Sequence, residues 1–114
     1  MRSDGYLDYV ELPASDIEAL KRFYGSVFGW TFVDFGPDYV EFISGDRKGG
    51  FNAERKVIEN GGPLVVLWAN DLDAVEAKVR AAGAEILERH AFPGGRRFHF
   101  SDPNGNEIAM WSDK

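Results

Sequence analysis

The chain contains one unit twice, and this internal repeat limits its fold more than any other feature. Residues 10–20 (VELPASDIEAL) align with residues 65–75 (VVLWANDLDAV), so the two copies are offset by 55 residues. In each copy a short apolar stretch leads into polar residues and then into an amphipathic stretch. Such a repeat predicts two copies of one supersecondary unit that complete a core by packing together.

Each copy predicts a strand followed by a helix. The apolar residues of each amphipathic stretch fall on one helical face; they are Ile17, Leu20, Tyr24, Val27 and Phe28 in the first copy and Leu72, Val75, Val79 and Ala82 in the second. Ser15 with Glu18, and Asn70 with Asp73, have the spacing of capping boxes at the helix starts. Glycines at matching places are expected to end the helices; these are Gly29 and Gly83.

Three extended segments follow each helix. Turn residues separate them; the predicted strands are Trp30–Asp34, Tyr39–Ile43 and about Gly50–Glu54, then Ala84–His90, Arg97–Ser101 and Glu107–Trp111. The pairs Gly49–Gly50 and Gly94–Gly95 are interpreted as turn glycines, since no helix follows either pair to bind a phosphate.

These patterns predict one α+β domain over residues 1–114. It consists of two tandem βαβββ modules, about residues 6–54 and 64–112, joined by a polar linker of about residues 55–63. The strands of the two modules are expected to form a cupped mixed sheet. Because a chain of this size buries a modest fraction of its surface, association would help to stabilise it.

The chain resembles the vicinal oxygen chelate superfamily, the glyoxalase/bleomycin resistance protein/dioxygenase family, and within it the small glyoxalase-related proteins. The matching segments, in the family's order, are residues 10–16, 23–24 (FY), 28–30 (FGW), 70–73 (NDLD) and 100–108 (FSDPNGNEI). The resemblance implies a glyoxalase-like fold. It says less about activity, because this fold hosts lyases, dioxygenases, transferases and drug-binding proteins.

Many enzymes of that family hold a divalent metal with His and Glu side chains, one from each of four strands. Carried over by the resemblance, three of these positions fall on Tyr9, Leu64 and Ala109, and the fourth falls near Phe51 or Asn52. Leucine and alanine cannot ligate a metal, and a neutral tyrosine is a poor ligand. We therefore expect the inherited metal site to be lost and no cofactor to be present.

Alternation along the strands predicts which side chains face the cup. Val10, Leu12, Phe98, Phe100 and Ile108 would pack against the helices, so their neighbours point the other way. The predicted cup-facing residues are Tyr9, Glu11, Tyr39 and Glu41 in the first module and Leu64, Val66, Trp68, Arg97, His99, Glu107, Ala109 and Trp111 in the second. Apolar walls with a few polar groups are typical of small-molecule sites.

If the protein is an enzyme, His99 is the expected general acid or base, because the ordinary pKa of histidine lies near neutrality. Glu11 or Glu41 would orient His99 or act as the base, and Arg97 would stabilise an anion. A displaced metal site on Glu11, Glu41 and His99 is an alternative, which would make the protein a metal-dependent lyase, isomerase or dioxygenase of the glyoxalase type.

Structural roles for the same residues stay open. His99 would then be a half-exposed strand residue, Arg97 an ion-pair partner of Glu11 or Glu41, and His90 a surface histidine. Trp68 and Trp111 would pack at a dimer interface. In that case the chain would be a structural or regulatory subunit.

Composition narrows the partners. The net charge of −6 disfavours nucleic acid, and the lack of cysteine excludes thiolate chemistry. No apolar run is long enough for a membrane span, and the residues after Met1 do not resemble a signal peptide, so a cytoplasmic location is expected. The favoured function is small-molecule binding or catalysis without a metal, and the acidic charge and the tryptophans suit a cationic or aromatic ligand. Exposed edge strands favour a homodimer, with modules paired within or between chains.

Overall fold

The computed structural model describes residues 2–59 and 61–114 and contains two βαβββ units, which confirms the predicted fold class. Its elements are β1 (Val10–Pro13), α1 (Ile17–Phe28), β2 (Thr31–Asp34), β3 (Tyr39–Ser44), β4 (Arg47–Asn52), β5 (Val65–Trp68), α2 (Leu72–Ala81), β6 (Glu85–Phe92), β7 (Gly95–Ser101) and β8 (Glu107–Ser112). Met1 and Asn60, which belong to the predicted N-terminal segment and linker, lie outside the described residues. No helix in the described part of the chain has the length and hydropathy to cross a membrane.

The two sheets have the same topology. The first has the strand order β1-β4-β3-β2 and the second the order β5-β8-β7-β6. In each sheet the first strand of the module pairs in parallel with the last one, and the other neighbours are antiparallel. The repeat in the sequence is therefore a repeat in the structure.

The predicted capping boxes are wrong by one residue, because each helix is capped by the residue after the predicted one. The caps are Asp16 and Asp71, whose side chains accept hydrogen bonds at 3.1 Å from the backbone N–H groups of Ala19 and Ala74. A carboxylate at this position also interacts favourably with the helix dipole, which neutral Ser15 or Asn70 would not do as strongly.

The helix ends agree with the sequence. Helix α1 ends at Gly29 in the left-handed conformation (φ 71°), and in α2 the glycine Gly83 (φ 90°) follows the C-cap residue Ala82. Glycine reaches this conformation at no steric cost.

Strand β4 begins three residues earlier than predicted, so Gly49 and Gly50 lie inside a strand instead of a turn. Their role is to allow close approach. A Cβ atom on Gly49 would overlap the carbonyl oxygen of Val10 on the neighbouring strand and the ring of Phe42. The actual turn between β3 and β4 uses Gly45 at φ 63°.

The core lies between the helices and the inner faces of both sheets. Its fully buried members come from both modules and are Tyr24, Phe51, Phe98, Phe100, Leu20, Ile108, Met110, Val40 and Val79. The ring of Tyr24 stacks on Trp30 with centroids 4.7 Å apart, and Trp30 stacks on Phe42 at 4.6 Å. The predicted inward direction of Phe98, Phe100 and Ile108 is confirmed.

A buried carboxylate joins the modules. Asp102, in the turn between β7 and β8, accepts hydrogen bonds from the Tyr24 hydroxyl of α1 (2.9 Å), from the backbone N–H of Asn104 (2.9 Å) and from the backbone N–H and side-chain amide of Asn106 (both 3.0 Å). Burial raises the pKa of Asp102, although these bonds act in the opposite direction. The carboxyl is thus fully engaged at a site that disfavours an unpaired charge.

The same turn holds the start of α1. The Asn104 side-chain oxygen accepts from the backbone N–H groups of Ser15 (2.7 Å) and Asp16 (2.8 Å), and the Asn106 amide donates to the carbonyl of Pro13 (3.0 Å). Hydrogen bonds from one turn of the second module therefore position both β1 and α1 of the first.

Replacing Asp102 with Ala should lower the free energy of unfolding by about 3 kcal/mol or more, because several buried donors lose their acceptor at once. Tyr24→Phe, which removes one hydroxyl, should cost about 1 kcal/mol. Urea unfolding followed by tryptophan fluorescence measures both. Asp46→Ala is the matched control, since the Asp46 side chain is 97% exposed and belongs to the turn between β3 and β4. Equal effects of D102A and D46A would contradict the role of Asp102.

Candidate active site

The first sheet presents two tyrosines and two glutamates on its cup face, as alternation predicted. The hydroxyls of Tyr9 and Tyr39 lie 2.8 Å apart, and the Tyr9 hydroxyl also lies 3.4 Å from a carboxylate oxygen of Glu41. Glu11 and Glu41 stand on either side of Gly50, because both are its cross-strand partners. The four side chains therefore surround one glycine.

Gly50 is a site residue that the sequence reasoning missed. A Cβ atom there would overlap the Tyr39 hydroxyl and lie 2.9 Å from the Tyr9 hydroxyl. Glycine thus lets both rings lie over the centre of the sheet. Nothing in the sequence distinguishes this role from that of a turn glycine, so the sequence predicts a turn at Gly50.

The phenols stay protonated at neutral pH. Burial raises the pKa of Tyr9, and burial followed by the hydrogen bond with Tyr9 raises the pKa of Tyr39. Conversely, the side-chain amide of Asn52, which donates to Glu11 at 2.9 Å, lowers the pKa of that carboxyl. The cluster therefore offers hydroxyl groups and negative carboxylates. The exposed amine of Lys48 lies 3.8 Å from a carboxylate oxygen of Glu41 and forms a salt bridge with it.

On the second sheet His99 is buried, not half exposed, with only 3% of its surface accessible. Its Nδ1 lies 2.6 Å from a carboxylate oxygen of Glu107 and 3.4 Å from one of Glu88. His90 approaches the same Glu88 oxygen with its Nε2 at 2.9 Å. The His99 Nε2 is buried and has no hydrogen-bond partner among the residues described.

The predicted pairing of His99 with Glu11 or Glu41 is not present within one chain. Those glutamates lie on the first sheet, whereas the carboxylates that contact His99 are Glu88 and Glu107 of its own sheet. Arg97 likewise forms no ion pair with Glu11 or Glu41 in the part of the chain that the structure describes. Alternation assigns a side chain to a face, but it does not give the distance between two sheets.

Strand β5 carries an exposed apolar stripe on its cup side. Leu64, Val66 and Trp68 are 38%, 45% and 54% exposed, and the Trp68 indole donates to Asp113 at 3.0 Å. On the neighbouring strand β8, Ala109 is fully buried beside His99 and Trp111 is half buried beside Arg97.

Two clefts lie along the seam between β1 and β5. The larger, of about 560 Å³, is lined by Glu11, Leu64 and Glu107 together with residues of the linker. The smaller, of about 300 Å³, is lined by Tyr9 and Val66 and by core rings behind them. The structure thus brings residues of both modules together at the seam, while Tyr39, Glu41, Trp68, Arg97, His99, Ala109 and Trp111 lie outside these two clefts.

The inherited metal positions do not fit a metal. The Tyr9 hydroxyl is paired with the protonated hydroxyl of Tyr39, Leu64 has no donor atom, and Ala109 presents a buried methyl group. A different group does have suitable geometry, since one ligand atom each of Glu88, His90 and His99 lies within 4.8 Å of the others.

Replacing Gly50 with Ala should lower the free energy of unfolding by about 1–3 kcal/mol, because the added methyl must displace the hydroxyls of Tyr9 and Tyr39. Gly25→Ala is the control. Its added Cβ would meet no atom closer than 3.5 Å, and alanine favours a helix, so stability should hold or rise by up to about 1 kcal/mol. Thermal unfolding measures both; a neutral G50A would show that the tyrosines do not need the glycine.

Comparison with known proteins agrees with the fold. The model of the Glyoxalase/Bleomycin resistance protein/Dioxygenase superfamily matches residues 6–110. The chain is 27% identical over 119 residues to the Mycobacterium tuberculosis protein named "Putative glyoxylase CFP32" and 27% identical over 124 residues to the Streptomyces "Anthracycline biosynthesis protein DauV". These alignments cover 94% and 90% of the chain but 45% of each relative, so the chain spans about half the length of the curated relatives it matches.

Solved structures show the same architecture. The fosfomycin resistance protein FosX from Listeria monocytogenes superposes with a TM-score of 0.82 at 15% identity, over 95% of this chain and 90% of that one. A glyoxalase family protein from Bacillus anthracis superposes with a TM-score of 0.79 at 23% identity, over the whole of both chains. At such identities the likeness concerns the fold. Together with the family match over residues 6–110, it shows that this chain belongs to the glyoxalase/bleomycin resistance protein/dioxygenase superfamily.

Proposed function

We propose that this protein binds a small aromatic cation on the cup face of its first sheet, without a metal at the inherited position. The observation that carries the proposal is the Tyr9–Tyr39 pair between Glu11 and Glu41. This cluster contains the family's first ligand position, and its hydroxyls are engaged with each other and with Glu41. In this proposal Glu11 and Glu41 bind the ligand and do not act as catalytic bases.

The chemistry of the cluster suits a positive, flat ligand. Aromatic rings attract cations with about 0.5–2 kcal/mol, depending on how far water is excluded. Two carboxylates add charge-assisted hydrogen bonds to an amine or guanidine. The net charge of −6 raises the local concentration of cations around the whole chain.

The seam supplies apolar side chains for such a ligand, and its clefts are also lined by the basic residues Arg47, Lys48, Arg55 and Lys56. Tyr9 and Val66 line one cleft and Glu11 and Leu64 line the other, so a flat molecule at the seam would contact both modules. The exposed Trp68 side chain, on the cup side of β5, supplies a fluorescence signal for the test.

The names of relatives span several ligand chemistries. One relative is named for anthracycline biosynthesis, and the FosX structure is a complex with Mn(II) and a dihydroxypropylphosphonic acid. A phosphonate is anionic, and Glu11 and Glu41 would repel it in the absence of a metal at the inherited position. A cation is therefore the better match for this chain.

Binding should be selective for charge. In equilibrium dialysis, the wild-type protein should take up the flat cation acriflavine and quench its own tryptophan fluorescence, and it should not take up the flat anion fluorescein. The double variant Glu11→Gln/Glu41→Gln should weaken acriflavine binding about tenfold or more, because two charge-assisted interactions are lost. Asp46→Asn, which removes the same kind of charge at an exposed turn, is the control.

Equal uptake of both dyes, or an equal loss of acriflavine binding in D46N, would show that the acidic surface as a whole attracts the dye. No uptake of either dye would contradict the proposal.

We also propose a homodimer formed along strand β6. This edge strand is eight residues long and nearly all exposed, and its Leu87 and Phe92 side chains are 44% and 41% exposed. An unpaired edge with apolar side chains favours pairing with an identical strand around a two-fold axis.

Light scattering at micromolar concentration should therefore report a dimer, and Phe92→Asp should shift the protein to a monomer. Val33→Asp, at a comparably exposed apolar residue on the other sheet's edge strand β2, is the matched control and should remain dimeric. A wild-type monomer would exclude this assembly.

A further inference from the structure

We propose that Glu88, His90, His99 and Glu107 form a binding site for one divalent transition-metal ion. The site lies on the cup face of the second sheet, on strands β6, β7 and β8. It shares no residue with the positions carried over from the family, which fall on Tyr9, Leu64 and Ala109. It is also independent of the cation-binding tyrosine cluster, which lies on the other sheet.

One ligand atom each of Glu88, His90 and His99 lies within 4.8 Å of the others, and Glu107 joins this group through its contact with His99. Glu88 Oε1 lies 2.9 Å from His90 Nε2 and 3.4 Å from His99 Nδ1, and His99 Nδ1 lies 2.6 Å from Glu107 Oε2. Zinc binds nitrogen and carboxylate oxygen at about 2.0–2.2 Å, so the donors of a tetrahedral site lie roughly 3.3 Å apart. A metal could therefore replace the shared protons if the His90–Glu88 contact opened by about 0.4 Å and the His99–Glu107 contact by about 0.7 Å.

A β-bulge places these residues on one face. The pairing of β6 with β7 shifts between Ile86 and Glu88, which leaves Leu87 as an extra residue. With regular pairing Leu87 would stand opposite His99, and Glu88 would point toward the core. Because of the bulge, Glu88 stands opposite His99 and His90 stands opposite Arg97, so both side chains reach the cup face.

The bulge also turns Arg89, which lies between Glu88 and His90, toward helix α2. Arg89 points to the other face of the sheet, where its guanidinium contacts Glu76 of α2 at 2.7 and 3.0 Å. This ion pair on the helix side fixes the register of β6 from behind. The positions of Glu88 and His90 are therefore supported by a contact outside the proposed site.

The orientation of the His99 ring is set at the site. Its side chain is 4% exposed, and its Nε2 has no hydrogen-bond partner in the described parts of the chain. The polar contacts of the ring are thus those of Nδ1 with Glu107 and Glu88. A buried imidazole aimed at two carboxylates resembles a metal ligand held in advance, whereas a histidine with only a packing role would need no second carboxylate.

Charge and access fit a metal ion as well. Two carboxylates balance a divalent charge, and two imidazoles with two carboxylates suit borderline metals such as zinc, cobalt and nickel. The side chains of Glu88, His90 and Glu107 are 49%, 47% and 33% exposed. An ion can therefore enter from solvent, while His99 provides the buried anchor.

Calorimetric titration of untagged protein with Zn²⁺, and the visible absorption of the Co²⁺ form, test the proposal. The wild type should bind one ion per chain, and the cobalt spectrum should indicate tetrahedral coordination with nitrogen and oxygen donors. His90→Ala and Glu88→Gln should each weaken binding by at least about tenfold. Both residues are exposed, so these variants should fold even if a change at buried His99 does not.

Two controls separate the possible outcomes. Glu85→Gln, on the same strand but outside the site, should bind zinc as the wild type does. Glu41→Gln should also bind zinc unchanged, which separates this ligand set from one built on Glu11, Glu41 and His99. Absence of zinc binding in the wild type, or binding unaffected by H90A and E88Q, would overturn the proposal. Acriflavine binding, measured with a chelator present, tests the cluster on the first sheet separately. A failure of zinc binding on the second sheet would therefore leave the proposed function untouched.

Discussion

The hydrogen bonds of Asp102 are the interaction on which the arrangement of the two modules depends. Its carboxyl accepts hydrogen bonds from a hydroxyl of α1 in the first module and from three N–H groups of its own turn. The side chains of Asn104 and Asn106 form further hydrogen bonds with the start of α1 and with β1. Burial raises the pKa of Asp102 despite these bonds, so the bonds offset only part of the cost of desolvating the charged carboxyl. The turn therefore specifies one relative position of the modules more than it adds net stability.

The sequence predicted the fold well because its signals are periodic. The repeat gave two βαβββ units, and alternation placed Tyr9, Glu11 and His99 on the correct faces of their strands. The failures concern single residues. The bulge at Leu87 and the close approaches at Gly49 and Gly50 depend on neighbouring strands, so no local pattern announces them. The distance between His99 and Glu11 depends on how two sheets meet, which alternation does not describe.

The two cup faces differ in chemistry although they come from one repeated unit. On the first, a glycine at the centre admits two phenols, and the polar groups are hydroxyls and carboxylates that accept hydrogen bonds from Tyr9 and Asn52. On the second, Ala109 occupies the position on β8 that corresponds to Gly50 on β4. The carboxylates there are paired with imidazoles near the edge of the sheet. The cup-facing positions of the two modules thus carry different chemical groups, while both modules share one strand topology.

The turn at Asp102 has no counterpart in the first module. There the equivalent connection between β3 and β4 is short, and its acidic residue, Asp46, is almost fully exposed. A gene duplication would begin with two identical halves able to associate in several ways. Because only the second half carries the buried acceptor and only the first carries the hydroxyl that meets it, the two halves are complementary at this contact and not interchangeable. The contact therefore pairs a first half with a second half, and two first halves or two second halves could not associate through it.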